Sequence, residues 1–172
     1  CPTASTVAGS NSGPEASPPG DIPDDQAFVA YSTAGGRYTV KVPEGWARTE
    51  APGRVTFTDK LNRIDVQVID AAVAPTVEST RADVVPALAA GESCFSLVGV
   101  NSLTRPAGSA VQTLYRADSA PDPVTGKVVY DDIERYSFWK DGTELVLTLA
   151  GPAGSDNVDP WRIVTDSLAW RP

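Results

Sequence analysis

Apolar residues at every second position recur along most of this chain, and that alternation confines it to an antiparallel sheet with one face buried. Tyr38, Val40 and Val42 bracket Thr39 and Lys41, and the turn Pro43-Glu44-Gly45 leads into Trp46. Strands are expected next at residues 55–58 and 64–69, with Ile64, Val66 and Val68 on one face and a hairpin connection between them. The period changes at residues 78–90, where Val84, Val85, Leu88 and Ala89 fall on one side of a helix. Thr80 is its expected cap and Gly91 its stop, while Pro86 sits awkwardly inside it. Strands return at 95–103, 110–116, 127–139 and 145–149, the last two joined by a tight turn at Asp141-Gly142. A closing helix is marked by Asp159 as cap, Pro160 at its first position, and Trp161, Val164, Thr165 and Leu168 at helical spacing. Three strands, a helix, four strands and a helix make an α+β plan: one antiparallel β-sheet flanked by helices.

Residues 1–26 break the pattern. Pro2, Pro14, Pro18, Pro19 and Pro23 are interleaved with Ser and Gly, a composition that buries too little apolar surface to offset chain entropy. A disordered tether over 1–26 and a folded domain over 27–172 are therefore expected. Such a tether has an r.m.s. reach of about 28 Å if flexible. Cys1 heads it, and the chain contains no methionine. A chain that begins on cysteine and continues through a polar Ser/Gly/Pro/Ala run looks like a processed bacterial lipoprotein, whose signal peptide is cut before a cysteine already bearing diacylglycerol. Cys1 is thus the expected lipid-attachment residue, and the membrane is the first expected partner. The expected location is extracytoplasmic, anchored to the outer face of the cell membrane. No apolar run approaches spanning length, so the covalent anchor must hold the protein there. Two acyl chains suffice where one is marginal, at about 0.8 kcal/mol per buried CH₂.

What is missing excludes whole classes of chemistry. With no histidine, Ser-His-Asp and Cys-His catalysis are out, as are His-ligated metals. Two cysteines, one of them the expected lipid site, cannot build a thiolate zinc site. The net charge of -8 and the lack of any basic run argue against nucleic acid. Neither catalysis, a cofactor nor a metal is expected. Cys94, without a histidine base, is expected as a small buried hydrophobe. Asp131, Asp132 and Glu134, with Asp122 nearby, are oxygen ligands in principle, but alternation turns Asp131 away from the other two, and a solvated sheet edge is the plainer expectation. Glu44, Asp65, Glu134 and Glu144 have no spacing that fixes a glycosidase-like pair. Trp46 and Trp161 fit the core. Trp139, beside the Lys140-Asp141-Gly142 turn, is the candidate partner contact.

The run Gly36-Arg37-Tyr38-Thr39-Val40-Lys41-Val42-Pro43-Glu44-Gly45-Trp46 resembles the opening of the PsbP-like domain family. So does the closing stretch from Asp156 to Trp170, with Leu168 where that family usually has an aromatic. The resemblance covers about residues 28–171, and the tethered form resembles actinobacterial lipoproteins of the LpqN/LpqT type. It implies a PsbP-like αβα sandwich. It also implies docking rather than catalysis, since relatives include a photosystem II extrinsic subunit and a Ran-binding import factor. The expectation is a non-enzymatic module that docks onto a protein or envelope component. A carrier of a small hydrophobic ligand or lipid is the alternative, and it would need a sizeable apolar cavity.

Overall fold

Two-residue turns at Lys60-Leu61, Pro106-Ala107 and Asp141-Gly142 join successive strands of the computed structural model, which describes residues 20–33 and 35–172. Asp141 and Gly142 both have positive φ, 48° and 81°. That is the backbone a tight hairpin needs to follow the strand twist. The elements are β1 (Phe28–Tyr31), β2 (Tyr38–Pro43), β3 (Ala47–Ala51), β4 (Arg54–Asp59), β5 (Asn62–Asp70), α1 (Val77–Ser79) and α2 (Val85–Gly91). Then come β6 (Ser96–Arg105), β7 (Gly108–Asp118), β8 (Tyr130–Lys140), β9 (Thr143–Pro152), α3 (Val158–Ser167) and β10 (Ala169–Trp170). A seven-stranded antiparallel sheet runs β3-β4-β5-β9-β8-β7-β6, and a three-stranded one runs β1-β2-β10.

The α+β sandwich is as expected, with one addition: the single sheet foreseen is two. The small sheet and α3 cover one face of the large sheet. Between them lie Tyr38, Val40, Val42, Ile64, Val66, Phe138, Leu145, Leu147, Leu149, Val164 and Leu168, all buried. The helical segment at 77–91 lies over the opposite face, where Leu88, Phe95 and Leu97 pack on Tyr115, Ala117, Ile133 and Ala150.

Several local expectations are corrected. Thr76, not Thr80, caps the first helix: the Ser79 amide donates to Thr76 Oγ1 at 3.0 Å and the Thr76 amide to Ser79 Oγ at 2.9 Å. Thr80 is instead buried. Pro86 is accommodated because Thr80–Val84 forms a π-helical turn that shifts the hydrogen-bond register, leaving the proline in the first turn of α2. In α3 the cap position belongs to Asn157, and Pro160 falls two residues inside the helix.

Residues 20–26, expected in the tether, lie on the domain, and Ile22 is buried in the main core. The Ile22 amide donates to Asn157 Oδ1 at 2.9 Å. Asn157 Nδ2 donates to the Gly20 carbonyl at 3.1 Å and to Asn62 Oδ1 at 3.2 Å. Asn62 Nδ2 also reaches the Gly20 carbonyl, at 2.7 Å. Specific hydrogen bonds outweigh composition here. Cys1 and the expected tether up to residue 19 lie outside the described residues.

Candidate functional site

The two layers on the core face differ in width. Strands sit about 4.8 Å apart, so seven span about 29 Å, while three strands plus one helix cover about 20 Å. The β6–β7–β8 flank is left open, and a groove of about 340 Å³ runs there beside the start of α3. Val98, Leu114, Val158 and Trp161 give it an apolar rim and wall.

Two of these residues are placed outward by local geometry. Leu97 pairs with Tyr115 and Gly99 with Leu114, so Val98 is the extra residue of a β-bulge and is 62% exposed. A bulge re-aims one side chain out of the ladder. Val158 opens α3 just after its cap and is 71% exposed. Trp161 lies behind it, nearly buried, edge-on to Trp46 with ring centroids 6.5 Å apart.

The polar lining is held in place. Asn101 Nδ2 donates to Gln112 Oε1 at 3.3 Å, Gln112 Nε2 to the Tyr136 hydroxyl at 2.9 Å, and that hydroxyl to Glu134 Oε1 at 2.6 Å. Burial, then the bond to Glu134, pushes the Tyr136 phenol up to about 12. Tyr136 therefore stays a neutral donor that fixes a carboxylate in the groove. Asp132 accepts from Arg116 Nε at 2.6 Å and from the Gly154 amide at 3.3 Å. Asp132 has Arg116 as its counter-charge, whereas Glu134 makes no salt bridge among the described residues and leaves a net negative charge in the groove.

The expected acidic and aromatic candidates do not gather. Asp131 is buried on the opposite face from Asp132 and Glu134, so the solvated edge expected for it is corrected. Asp122 is occupied by the Val124 and Thr125 amides at 2.8 Å each, and these hold its carboxyl below the usual range. No group of three or more metal-ligating acids occurs among the described residues. Asp65 accepts from Arg54 Nε and Thr56 Oγ1, both at 2.8 Å. It shares a face with Glu144, but the four strand residues from its position to that of Ile69, opposite Glu144, put the two roughly 13 Å apart. Glu134 is on the other face and Glu44 lies in an exposed turn.

Trp139 is half-buried on the helix-covered face, its indole N–H donating to the Ala71 carbonyl at 2.8 Å. It lines a cleft with Pro75, Val77, Ser102 and Ser137, across the sheet from the groove. Cys94 differs from the small buried hydrophobe expected: it is half-buried and has φ 58°. The groove itself was missed in the sequence. The one available signal was the odd apolar Val98 beside Gly99, which interrupts strict alternation.

No helix among the described residues is long and apolar enough to cross a membrane. No protein-family model matches the chain, and no curated protein matches it at a significant level. Solved structures do. The solution structure of cyanobacterial PsbP (CyanoP) from Synechocystis superposes with a TM-score of 0.63 at 14% identity, over 88% of this chain and 98% of that one. The Ran-binding protein Mog1p of Saccharomyces cerevisiae gives 0.52 at 12% identity, over 74% and 78%. LpqN, involved in cell envelope biogenesis of Mycobacterium tuberculosis, gives 0.44 at 15% identity, over 90% of each chain, too loose a likeness to argue from. At these identities the likeness is one of architecture, and the architecture of this chain is the PsbP-like α+β fold.

Proposed function

We propose that this chain is a membrane-anchored, extracytoplasmic docking module that catalyses nothing and captures a protein partner through the groove beside α3. The observation that carries this is the pair of valines set outward on that groove, Val98 by a bulge and Val158 by a helix start. The fixed Glu134 carboxylate and the overall charge of -8 favour a partner segment that presents an apolar side chain next to a Lys or Arg. The fold adds support by analogy, since Mog1p is a Ran-binding protein.

The test places a photo-crosslinking amino acid at Val98, at Val158 and, as control, at Val124, which is 91% exposed in the 119–129 loop. Groove positions are expected to label one discrete envelope protein and the control position none. Val158→Asp should weaken that labelling at least about tenfold while leaving stability within about 0.5 kcal/mol, as for exposed sites generally. Trp139→Ala, on the other face, should leave it intact. Equal labelling from Val124 would sink the groove. Labelling of lipid alone would favour the hydrophobic-ligand carrier. Loss on Trp139→Ala would move the contact to the helix-covered face.

Anchoring has its own test. A thioether on the Cys1 sulfur and a disulfide through it exclude each other. Mass spectrometry of the envelope-extracted protein is expected to find the Cys1 peptide carrying diacylglycerol, with palmitate as the acyl group, and Cys1→Ala should move the protein out of the membrane fraction. Recovery of a Cys1–Cys94 linked peptide in its place would overturn the anchor.

A further inference from the structure

A second cleft, of about 370 Å³, lies between the β4–β5 turn and the 119–129 loop, away from the docking groove. Its wall includes Asp131 and Arg63, with Lys60 and Lys127 also lining it. Asp131 is 5% exposed, yet its Oδ1 accepts no hydrogen bond, and Arg63 Nε, also buried, donates none. Neither residue makes a salt bridge among the described residues. Two opposite charges thus line one cleft, each with a buried atom unpartnered, although buried polar atoms are nearly always satisfied and unpaired buried charge is costly.

The signs decide what fits. A divalent cation is disfavoured because a single carboxylate faces an arginine and two lysines, and Asp122 is already committed to the loop amides. A simple anion is disfavoured by Asp131. A neutral sugar could satisfy the hydrogen bonds but would offer no charge to either the carboxylate or the guanidinium. A molecule with an ammonium at one end and a carboxylate at the other meets every group. Leu61, Pro121 and Val129 complete the lining with apolar surface, which suits an aliphatic side chain, and the volume is that of a small-ligand site.

We propose that the cleft binds a small zwitterion, an amino acid or short peptide with free termini, its ammonium on Asp131 and its carboxylate on Arg63, with Lys60 and Lys127 at the mouth. This stands apart from the docking groove and does not depend on it. The test is titration calorimetry on the full chain with L-leucine and L-alanyl-L-leucine, alongside the N-acetylated and C-amidated dipeptide. The free dipeptide is expected to bind, and blocking either terminus to weaken it at least about tenfold. Asp131→Asn should lose the discrimination against the acetylated peptide only, and Arg63→Gln the discrimination against the amide only. Lys127→Gln, at an exposed position, keeps the test open should a buried variant misfold, and should weaken the free dipeptide about threefold. No heat from either probe up to about 10 mM would mean that the cleft holds water, and the proposal fails. Equal binding of free and blocked peptides, or unchanged discrimination in both buried variants, would also overturn it.

Discussion

Asn157→Ala is expected to destabilise the domain by about 3 kcal/mol, from at least one newly orphaned buried group at about 1–3 kcal/mol each plus lost packing. Asn157 is 3% exposed and joins two segments distant in sequence to α3: residues 20–22, through its oxygen to Ile22 and its amide to Gly20, and Asn62, through its amide. Truncation strands the Ile22 N–H, and Asn62 Oδ1 loses its donor. The junction is closely packed: a Cβ on neighbouring Gly151 would stand 2.7 Å from Asn62 Oδ1 and 3.0 Å from Asn157 Nδ2. For a domain of this size the loss corresponds to a melting temperature lower by about 6–12 °C. Hydrogen exchange separates local from global effects: the Ile22 amide should lose protection far more than Leu147 or Phe138 in the core. Preserved Ile22 protection with an unchanged melting temperature would show that the Asn157 junction is dispensable.

That junction also matters to how a tethered domain would present its groove. Gly20 abuts Pro152, where an added Cβ would meet the ring at 2.5 Å, and Pro152 lines the groove together with Asn157. Gly20 therefore lies at one end of the groove. Release of residues 20–26 would loosen the end of the groove that Pro152 and Asn157 form, so the Asn157 variant should crosslink less efficiently at Val158 even at temperatures where the core is intact.

The legible part of the fold was the part that obeys a period. Ile64, Val66 and Val68, or Leu145, Leu147 and Leu149, alternate because one face of a sheet is buried, and their strands lie where the pattern put them. β3 left no such signal, since all five of its residues are exposed, and β10 is only two residues long. The N-terminal segment reads as linker by composition. It is held by side chains of Asn157 and Asn62, far away in sequence, a contact no local window contains. The same reason hid the candidate sites. Val98 is thrust outward by a bulge set by its partner strand, and Asp131 meets Arg63 only once β5, β9 and β8 are side by side.

Asp131→Asn should raise stability at pH 7 by about 2 kcal/mol and leave it nearly unchanged at pH 4. Burial pushes the Asp131 carboxyl up to about 6, with Arg63 pulling it down and Asp132, Asp118 and Glu92 adding to the rise. In the unfolded chain the same group titrates near the ordinary value of 3.8. Between those values the folded protein holds the proton and the unfolded chain has released it. Folded stability therefore falls as pH rises through that window, by on the order of 3 kcal/mol at most, and the penalty is complete above pH 6. Asparagine cannot ionise, so the variant escapes it; the value of about 6 already includes the attraction to Arg63. Urea unfolding at pH 4, 5, 6 and 7 reads the difference directly, since all other carboxylates are shared by the two proteins. A variant less stable than the parent at pH 7 would mean that the Asp131–Arg63 attraction exceeds the desolvation cost, and the account of a strained, unpaired carboxylate would fall. If the expected difference is found, a saturating zwitterion should narrow it by stabilising the parent more than the variant, because only in the parent does the bound ammonium compensate the buried charge.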